Sequence, residues 1–314
     1  MAENEVVMRG DGNYNKNSSL QQVAVLPALS LLPSLSTQKL PVIVDYGCSQ
    51  GGSSIIPLKT LLATIPSGSS VQLIFNDRPE NDFTTLSRTI KDREADLNRN
   101  GELHTFPSMV PISYFNQIVP DNTVDVGMAW STLNYLETQM PLAPTADLRE
   151  MVRQRAVRNV KQGHADLVKV LALRAREIKK GGAFIAGTSA RPCGEGSHIA
   201  SSIIGLMMGP IGAMVAAGRM TPQNIMAMDP PAHERAMEEV NSVFEEVKEL
   251  WSVESCFEKT IVHPAYEWLV EELKKDDGSG KEGLRREFAT RIVDWILAAF
   301  AGFFVKALRS GRDD

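Results

Sequence analysis

The sequence contains few residues of the kinds that bind metals or form disulfide bonds. Its 314 residues include three cysteines and five histidines. Cys48, Cys193 and Cys256 are far apart, odd in number and not arranged as Cys-x-x-Cys, which excludes a disulfide framework and a zinc site of that kind. The histidines are scattered and form no His-x-x-x-His pair, so we expect no metal ion. This composition fits a reducing, cytoplasmic environment.

An excess of positive charge and a long apolar run are also missing. The chain has 33 Lys and Arg against 38 Asp and Glu, which argues against a nucleic-acid surface built on bulk basicity. No window reaches the roughly 18 apolar residues of a membrane span. The stretch that comes nearest, Ile292 to Leu308, contains Asp294 and Lys306, and we expect it to form a buried helix. The first residues lack a basic segment followed by an apolar core. A small-molecule partner is therefore favoured over nucleic acid or membrane.

The stretch from Val42 to Ser54, Val-Ile-Val-Asp-Tyr-Gly-Cys-Ser-Gln-Gly-Gly-Ser-Ser, is the clearest local signal. A β-branched run that ends in an acid and then loosens into glycines is typical of a buried parallel strand that delivers backbone to a ligand. Gly47, Gly51 and Gly52 permit positive φ, and Asp45 can accept hydrogen bonds from a polar or cationic group. We therefore predict a cofactor site here. The spacing is not Gly-x-Gly-x-x-Gly, which disfavours a nicotinamide-dependent oxidoreductase.

Two further strands are predicted to end near this turn. Val71 to Phe75 runs into Asn76-Asp77, and an acid after the second strand of a nucleotide-binding α/β unit can bind ribose hydroxyls. The alternative is that Asp77 belongs to an Asp-rich turn that caps the next helix. Val124 to Ala129 opens into residues 130–136. We expect this stretch, like residues 106–115, to face ligand, because residues beyond strand ends line the crevice of open α/β sheets.

Strands separated by helical segments predict an open, mainly parallel sheet. Arg149 to Lys180 is expected to be a long amphipathic helix that ends at Gly181-Gly182, ahead of a strand over Ala183 to Thr188. A late strand is predicted over Phe257 to His263. The predicted division is an α/β core over 1–190, a mainly helical cap over 191–290 that returns partly to the sheet near 255–263, and a closing helix over 291–314 packed on the core.

Four motifs follow one another in a recognisable order. They are Gly12-Asn-Tyr14-Asn-Lys-Asn17-Ser18-Ser-Leu-Gln21, Asp45-Tyr-Gly-Cys-Ser-Gln-Gly51, Asn76-Asp77-Arg-Pro-Glu-Asn81-Asp82-Phe83 and Val110-Pro-Ile-Ser113-Tyr114-Phe115. They resemble the Ser-Tyr-Ala-x-Asn-Ser-x-x-Gln, Asp-Leu-Gly-Cys-Ser-Ser-Gly, Asn-Asp-Leu-Pro-x-Asn-Asp-Phe and Val-Pro-Gly-Ser-Phe-Tyr motifs of the SABATH family of S-adenosylmethionine-dependent carboxyl methyltransferases. That family includes plant enzymes that methylate salicylate, benzoate, jasmonate and indole-acetate, and relatives that methylate xanthine nitrogens.

The resemblance implies a fold and a cofactor. The fold is a Rossmann-like class I methyltransferase sheet in the α/β class, mainly parallel with helices on both faces, with an added helical cap. By composition alone residues 1–22 would form a frayed terminus, but the resemblance implies that they close over the site. Asp77 would bind the ribose and Asp45 would lie near the amino-acid part of the cofactor. The residues implied to hold S-adenosylmethionine are Tyr14, Ser18, Asp45, Gly47, Ser53, Asp77, Ser113 and Tyr114, the last two beside the adenine.

The resemblance is weakest where substrate would be held. Gln21 matches the family glutamine whose amide holds the substrate carboxylate. The family's second carboxylate-holding residue, a Trp, is replaced by Tyr135, whose phenol can still donate one hydrogen bond. Asn134 stands in place of His and Ser131 in place of Tyr, which suggests a small or more polar acid. The predicted catalytic pair is Gln21 and Tyr135, and the predicted substrate-binding residues are Gln21, Trp130, Ser131, Asn134 and Tyr135.

The expected reaction is methylation of a small organic acid to its methyl ester, with S-adenosylhomocysteine as product. A carboxylic acid with a pKa of about 4 is ionised at neutral pH, so the transfer needs no general base and depends on positioning. Three alternatives stay open: an N-methyltransferase of a small nitrogen heterocycle, a non-catalytic S-adenosylmethionine-binding protein, and the oxidoreductase. A homodimer is compatible with the sequence.

Overall fold

The computed structural model describes residues 8–37, 39–143, 145, 148–191, 209–221, 224, 230–276 and 280–310. Its strands are β1 (Val42–Tyr46), β2 (Ser70–Asp77), β3 (His104–Pro111), β4 (Val124–Trp130) and β5 (Ile178–Gly187). Its helices are α1 (Asn13–Asn17), α2 (Ser19–Ala24), α3 (Ile55–Leu62), α4 (Phe83–Asp92), α5 (Glu94–Leu97), α6 (Leu148–Glu177), α7 (Met237–Glu246), α8 (Pro264–Lys275) and α9 (Lys281–Ser310). Short 3-10 helices cover Leu26–Leu31 and Gly52–Ser54.

The five strands form one parallel sheet in the order β3-β2-β1-β4-β5. Strand β1 lies between β2 and β4, and Asp45 is opposite Phe75 on one side and Met128 on the other. The strand order reverses at β1, and ligands of open α/β sheets bind at such a reversal, outside the carboxyl ends of the strands. The predicted α/β fold with a parallel sheet is confirmed, and its topology directs attention to the ends of β1, β2 and β4.

The sheet is buried on both faces, which explains the continuous apolar strands in the sequence. On one face Ile43 and Leu73 pack with Leu58 and Leu61 of α3. On the other face Val44 packs in a second cluster. That cluster also contains Tyr46, Ala129, Leu167, Val170, Leu171 and Val243. Every residue of β4 is buried, as expected for a strand inside the sheet. The core therefore fixes the strands whose ends carry the candidate site residues.

Two predictions for the second half of the chain are wrong, one about where the long helix ends and one about a late strand. Helix α6 ends at Glu177, and β5 starts at once, so Gly181 and Gly182 lie inside the strand. Gly182 is needed there because a Cβ would lie 2.8 Å from the Asp125 carbonyl oxygen of the neighbouring strand. Residues 257–263 form no strand, since they have neither helix nor strand structure. They bury no apolar face: Phe257 is 50% exposed and Val262 is 45% exposed.

Residues 9–22 are docked on the turn after β1, so for them the expectation of a frayed terminus, based on composition, is wrong; residues 1–7 lie outside the described part of the chain. The Asn15 amide donates to the Gln50 carbonyl oxygen (2.9 Å) and its Oδ1 accepts from the Gly52 N–H (3.0 Å). The Arg9 N–H donates to the Ala298 carbonyl oxygen of α9 (2.9 Å). These bonds attach the segment to both the sheet end and the closing helix.

The closing helix begins earlier than predicted and buries one face, which carries Trp295, Ala298 and Ala299, while Val293 and Val305 are exposed. None of the helices within the described ranges has the length and apolar character to cross a membrane. Part of the predicted cap, residues 192–208, 222–223, 225–229 and 277–279, lies outside the described residues. The domain boundaries stay predictions.

Candidate functional site

The turn after β1 brings the chain close to the loop after β4. Gly47 has φ of 77°, and both its N–H and that of Cys48 donate to the Asn76 carbonyl oxygen (2.8 and 3.0 Å). A Cβ on Gly47 would lie 2.3 Å from Thr132 Cγ2, closer than two carbon atoms can approach. Gly47 is thus required by the backbone path and by the close approach of two loops, as its position in the sequence predicted.

Asp45 is a buried carboxylate at the end of β1. It is 2% exposed and accepts a hydrogen bond from the Ser54 hydroxyl, and among the described residues nothing donates to its Oδ1. Burial raises the pKa of Asp45 to about 7; the Ser54 bond opposes that rise and the Asp77 carboxylate adds to it. Asp45 lines a small cavity whose walls are formed by Tyr14, Asp45, Gly47, Cys48, Ser49, Ser53, Ser54 and Trp130.

Trp130 contributes a hydrogen-bond donor to the cavity in which Asp45 provides an acceptor. Its ring is 6% exposed, and its indole Nε1 has no hydrogen-bond acceptor within the described part of the chain. Sequence reasoning placed Trp130 on the substrate side, whereas the structure puts it with Asp45. Buried polar groups are normally paired, so an unpaired acceptor and an unpaired donor in one cavity match a ligand group that carries both a cation and an anion.

Asp77 lies at the end of β2, and its two oxygens are held by backbone. Oδ2 accepts from the Ser49 N–H (2.6 Å) and Oδ1 from the Arg78 N–H (2.8 Å). Burial raises the pKa of Asp77 to about 6, although both backbone bonds lower it. The acid that caps α4 is Asp82, whose Oδ1 accepts from the Thr85 N–H (2.9 Å). The helix-capping alternative for Asp77 is therefore excluded, and its remaining lone pairs can accept from hydroxyls.

Ser113 and Tyr114 follow β3 and are both buried. The Tyr114 hydroxyl donates to the Thr132 carbonyl oxygen (3.1 Å), and burial raises its pKa. Its ring packs on Phe115 with 4.4 Å between the centroids. Through this hydrogen bond from its hydroxyl to the Thr132 backbone, Tyr114 joins the loop after β3 to the loop after β4.

Arg174 of α6, which sequence reasoning missed, holds the loop after β3. It is fully buried, donates to the carbonyl oxygens of Tyr114 (3.1 Å) and Asn116 (2.9 Å), and forms a 2.9 Å ion pair with buried Glu177. Glu177 also accepts from the Tyr46 hydroxyl (2.7 Å). In an amphipathic helix rich in Arg and Lys, nothing in the local sequence distinguishes this buried arginine from a solvated one.

The loop after β4 is held by residues 230–235. The Leu136 N–H donates to the Pro231 carbonyl oxygen (2.8 Å), and the His233 N–H to the Asn134 carbonyl oxygen (2.7 Å). Arg235, also missed from sequence, donates to the Leu133 carbonyl oxygen and, at 2.7 Å, to the Gly163 carbonyl oxygen on α6. A second buried arginine therefore fixes the loop that carries the predicted substrate residues Ser131, Asn134 and Tyr135, with Ser131 in the left-handed region at φ of 54°.

Tyr14, Tyr135 and Asp77 lie close enough to interact electrostatically. Burial raises the pKa of the Tyr14 phenol, and both Tyr135 and Asp77 add to that rise. Burial, with Asp77, also raises the pKa of Tyr135. Both phenols stay protonated at neutral pH, so both keep an O–H that can donate. The structure thus brings Tyr14 from the N-terminal segment to the predicted cofactor and substrate residues.

Gln21 lies on α2, and Ser18 lies between α1 and α2 in the N-terminal segment. Ser18 is 1% exposed, and its hydroxyl donates to the Asn15 carbonyl oxygen at 3.5 Å. Gln21 Oε1 accepts from the indole Nε1 of Trp295 on α9 (3.0 Å). Within the described ranges Gln21 is not part of the cavity wall that contains Asp45. Trp295 was not found from sequence, since nothing local links positions so far apart.

Comparisons with known proteins point to one family of enzymes. A family model described as "SAM dependent carboxyl methyltransferase" matches residues 3–262. "Methyltransferase LUC1" of a Fusarium species is 32% identical over 99% of this chain and 86% of that protein. "O-methyltransferase acrG" of Aspergillus aculeatus is 32% identical over 99% of this chain and 87% of that protein. The farnesoic acid carboxyl-O-methyltransferase of Arabidopsis thaliana is 24% identical over 76% of this chain and 74% of that protein.

The fold also matches a solved structure. The structure titled "Loganic acid methyltransferase with SAH" superposes with a TM-score of 0.65 at 19% identity, over 95% of this chain and 94% of that one. At this identity the likeness shows the fold.

Proposed function

The chain belongs to the family of S-adenosylmethionine-dependent carboxyl methyltransferases, and from this premise we propose that it methylates a small organic acid held by Gln21 and Tyr135. The observation that carries the proposal is the pair of unsatisfied atoms of opposite polarity, Asp45 Oδ1 and Trp130 Nε1, in one buried cavity. They lie at the carboxyl ends of β1 and β4, where open α/β sheets bind ligands.

These two atoms fit the amino-acid end of S-adenosylmethionine. That end carries an ammonium group, which can donate a hydrogen bond to the Asp45 carboxylate. It also carries a carboxylate of its own, which can accept a hydrogen bond from the Trp130 N–H. We therefore assign Trp130 to the cofactor, whereas sequence reasoning assigned it to the substrate. Ser53 and Gly47, which line the same cavity, complete this part of the site.

Asp77 is suited to the ribose. Its carboxylate is fixed by two backbone N–H groups and keeps free lone pairs for a pair of hydroxyls. Ser113 and Tyr114, held by Arg174, would lie beside the adenine. Tyr14 and Ser18 would close the site from the N-terminal segment, which is docked on the turn after β1.

Gln21 and Tyr135 would bind the acid as hydrogen-bond donors. The Gln21 oxygen is occupied by Trp295, so its amide N–H groups point away from the Trp295 N–H. The Tyr135 phenol is protonated at neutral pH, and burial raises its pKa further, so it can donate to a carboxylate. Asn134 and Ser131 add polar groups to the same loop. Relatives include proteins named for farnesoic acid and indole-3-acetate; these polar residues favour a small or polar acid here.

Positioning accounts for catalysis in this site. S-adenosylmethionine supplies a methyl group on a positively charged sulfur. A carboxylate with a pKa of about 4 is already ionised at neutral pH, so no side chain needs to remove a proton. Gln21 and Tyr135 would hold one carboxylate oxygen in line with the methyl group. Orientation of this kind can lower a barrier by roughly 7–11 kcal/mol.

The decisive experiment is a panel of aliphatic, dicarboxylic and aromatic acids incubated with methyl-labelled S-adenosylmethionine. We expect base-labile methyl ester from at least one acid. Label on an amine or heterocycle with no ester from any acid would replace the proposal with N-methylation, and cofactor binding without any turnover would leave a binding protein. A cytoplasmic location, a homodimer and the absence of nucleic-acid or membrane partners stay predictions, based on composition.

A further inference from the structure

The contact between Gln21 and Trp295 determines which way the Gln21 amide points. The Trp295 indole Nε1 lies 3.0 Å from Gln21 Oε1, between residues 274 positions apart. An indole N–H can only donate, so it can face the amide oxygen but not the amide nitrogen. The two N–H donors of Gln21 are therefore directed away from the Trp295 N–H. This conclusion does not depend on how oxygen and nitrogen of the amide were assigned.

Trp295 is itself held in place. Its side chain is buried, and its ring meets the His263 imidazole edge-on, with 5.4 Å between the centroids and 77° between the planes. His263 Nδ1 accepts from the Ala265 N–H (3.0 Å) at the start of α8. Burial lowers the pKa of His263, which keeps the ring neutral. These contacts hold the indole with its N–H directed toward the Gln21 side-chain oxygen.

The N-terminal segment and α9 are joined a second time close by. The Arg9 N–H donates to the Ala298 carbonyl oxygen, one helical turn after Trp295. The N-terminal segment that carries Gln21 is therefore bonded to α9 at two points, once through backbone atoms and once through side chains.

We propose that Trp295 is a positioning residue for the acid: it orients the Gln21 amide so that nitrogen, and not oxygen, faces the substrate carboxylate. This inference rests on the proposed role of Gln21. Without the indole the amide can flip, and the flipped form presents an oxygen to an anion. Trp295 does not touch the substrate in this account, so its loss weakens acid binding and leaves cofactor binding intact.

The test is Trp295→Phe, which keeps the aromatic packing and removes the N–H. Using the panel acid that gives most ester, we expect the KM for the acid to rise about three- to tenfold, the range for a neutral hydrogen bond. The Kd of S-adenosylhomocysteine, measured by calorimetry, should stay unchanged, because Trp295 is not argued to touch the cofactor. The double variant Gln21→Ala, Trp295→Phe should be no worse than Gln21→Ala alone, because both act through one amide.

Trp251→Phe is the matched control. The Trp251 indole donates to the Leu171 carbonyl oxygen at the same distance, 3.0 Å, but away from Gln21. It should lower stability to a similar extent without changing the KM for the acid. An unchanged KM in Trp295→Phe beside a raised KM in Gln21→Ala would overturn the positioning role, as would losses that multiply in the double variant. Failure of the proposed function would look different, since the native chain would then form no ester.

Discussion

The proposed cofactor half of the site is built on the ends of parallel strands, whereas the proposed substrate half is assembled from segments outside the sheet. Asp45 and Asp77 are the last residues, or nearly the last, of β1 and β2. Gln21 lies on a short helix near the N-terminus and depends on Trp295 of the closing helix. Tyr135 lies on a loop held by residues 230–235. One half is thus fixed by the core, and the other by long-range contacts.

The difference explains where the chain keeps the family pattern and where it departs from it. A strand end is placed by the packing of the whole sheet, so its residues can be specialised for one invariant ligand. A loop held by its backbone can change its side chains without losing its position, because Arg235 contacts the Leu133 and Gly163 carbonyl oxygens and not the side chains. This arrangement allows the acid pocket to vary while the cofactor site stays constant.

The largest expected effect concerns the two arginines that hold the two halves. Arg174→Met would leave Glu177 as an uncompensated buried charge, and we expect a loss of about 3–5 kcal/mol in unfolding free energy. Arg235→Met removes the donor to the Leu133 and Gly163 carbonyl oxygens, and we expect a loss of about 1–3 kcal/mol. Urea denaturation measures both, with exposed Arg176→Met as the control. If both variants lost the same free energy of unfolding, the half held by a buried ion pair would not differ in this respect from the half held by hydrogen bonds to backbone carbonyl oxygens.

Asp45→Asn tests the cofactor half alone. It removes the charge that would bind an ammonium group, and we expect S-adenosylhomocysteine affinity to fall about 10- to 100-fold, the range for hydrogen bonds to charged groups. The KM for the acid at saturating cofactor should not change. Asp121→Asn, at a half-exposed carboxylate, should change neither. Unaltered S-adenosylhomocysteine binding in Asp45→Asn would contradict the placement of the amino-acid end.

Gln21→Ala tests the substrate half alone. Loss of a donor to an anion should raise the KM for the acid about tenfold with little effect on S-adenosylhomocysteine affinity. The control is its neighbour: Gln22 donates to the Asn15 carbonyl oxygen (3.1 Å), and Gln22→Ala should loosen the segment without the same effect on KM. If Gln21→Ala weakened both ligands equally, Gln21 would belong to the frame of the site and not to acid binding.

Trp130→Phe decides to which half the indole belongs. We expect S-adenosylhomocysteine affinity to fall about three- to tenfold and the KM for the acid to stay the same. Thermal unfolding serves as the control, because phenylalanine keeps most of the packing and removes an N–H that has no acceptor in the described structure. A rise in the KM for the acid with unchanged cofactor affinity would return Trp130 to the substrate side.

The smallest expected effect is a pH dependence confined to the cofactor half. With a pKa of about 7, Asp45 loses its charge as pH falls, so S-adenosylhomocysteine affinity should drop about threefold from pH 7.5 to 6.5. Stability should run the other way: because the folded pKa exceeds the unfolded one, the contribution of Asp45 is full below the unfolded value and is lost as pH rises through 7. Calorimetry at several pH values measures the first trend, and it should vanish in Asp45→Asn.

The strand ends could be predicted from sequence because strand, acid and glycine are neighbours along the chain. Asp45, Gly47 and Asp77 all lie where local pattern placed them. Arg174 and Trp295 could not be predicted, since an arginine or tryptophan in a helix has the same local signature whether it faces solvent or a partner far along the chain. The missing strand at 257–263 has the same cause: a run of residues with high strand propensity forms a strand only where a neighbouring strand pairs with it, and local sequence does not show that.

The bond between Trp295 and Gln21 also bears on the order in which the protein becomes active as it is made. Gln21 leaves the ribosome 274 residues before its partner does. The hydrogen bonds of Asp45 and Asp77 described above involve no residue later than Arg78. A nascent chain can therefore form these bonds at an early stage, while the Gln21 amide is oriented only after Trp295 has been made.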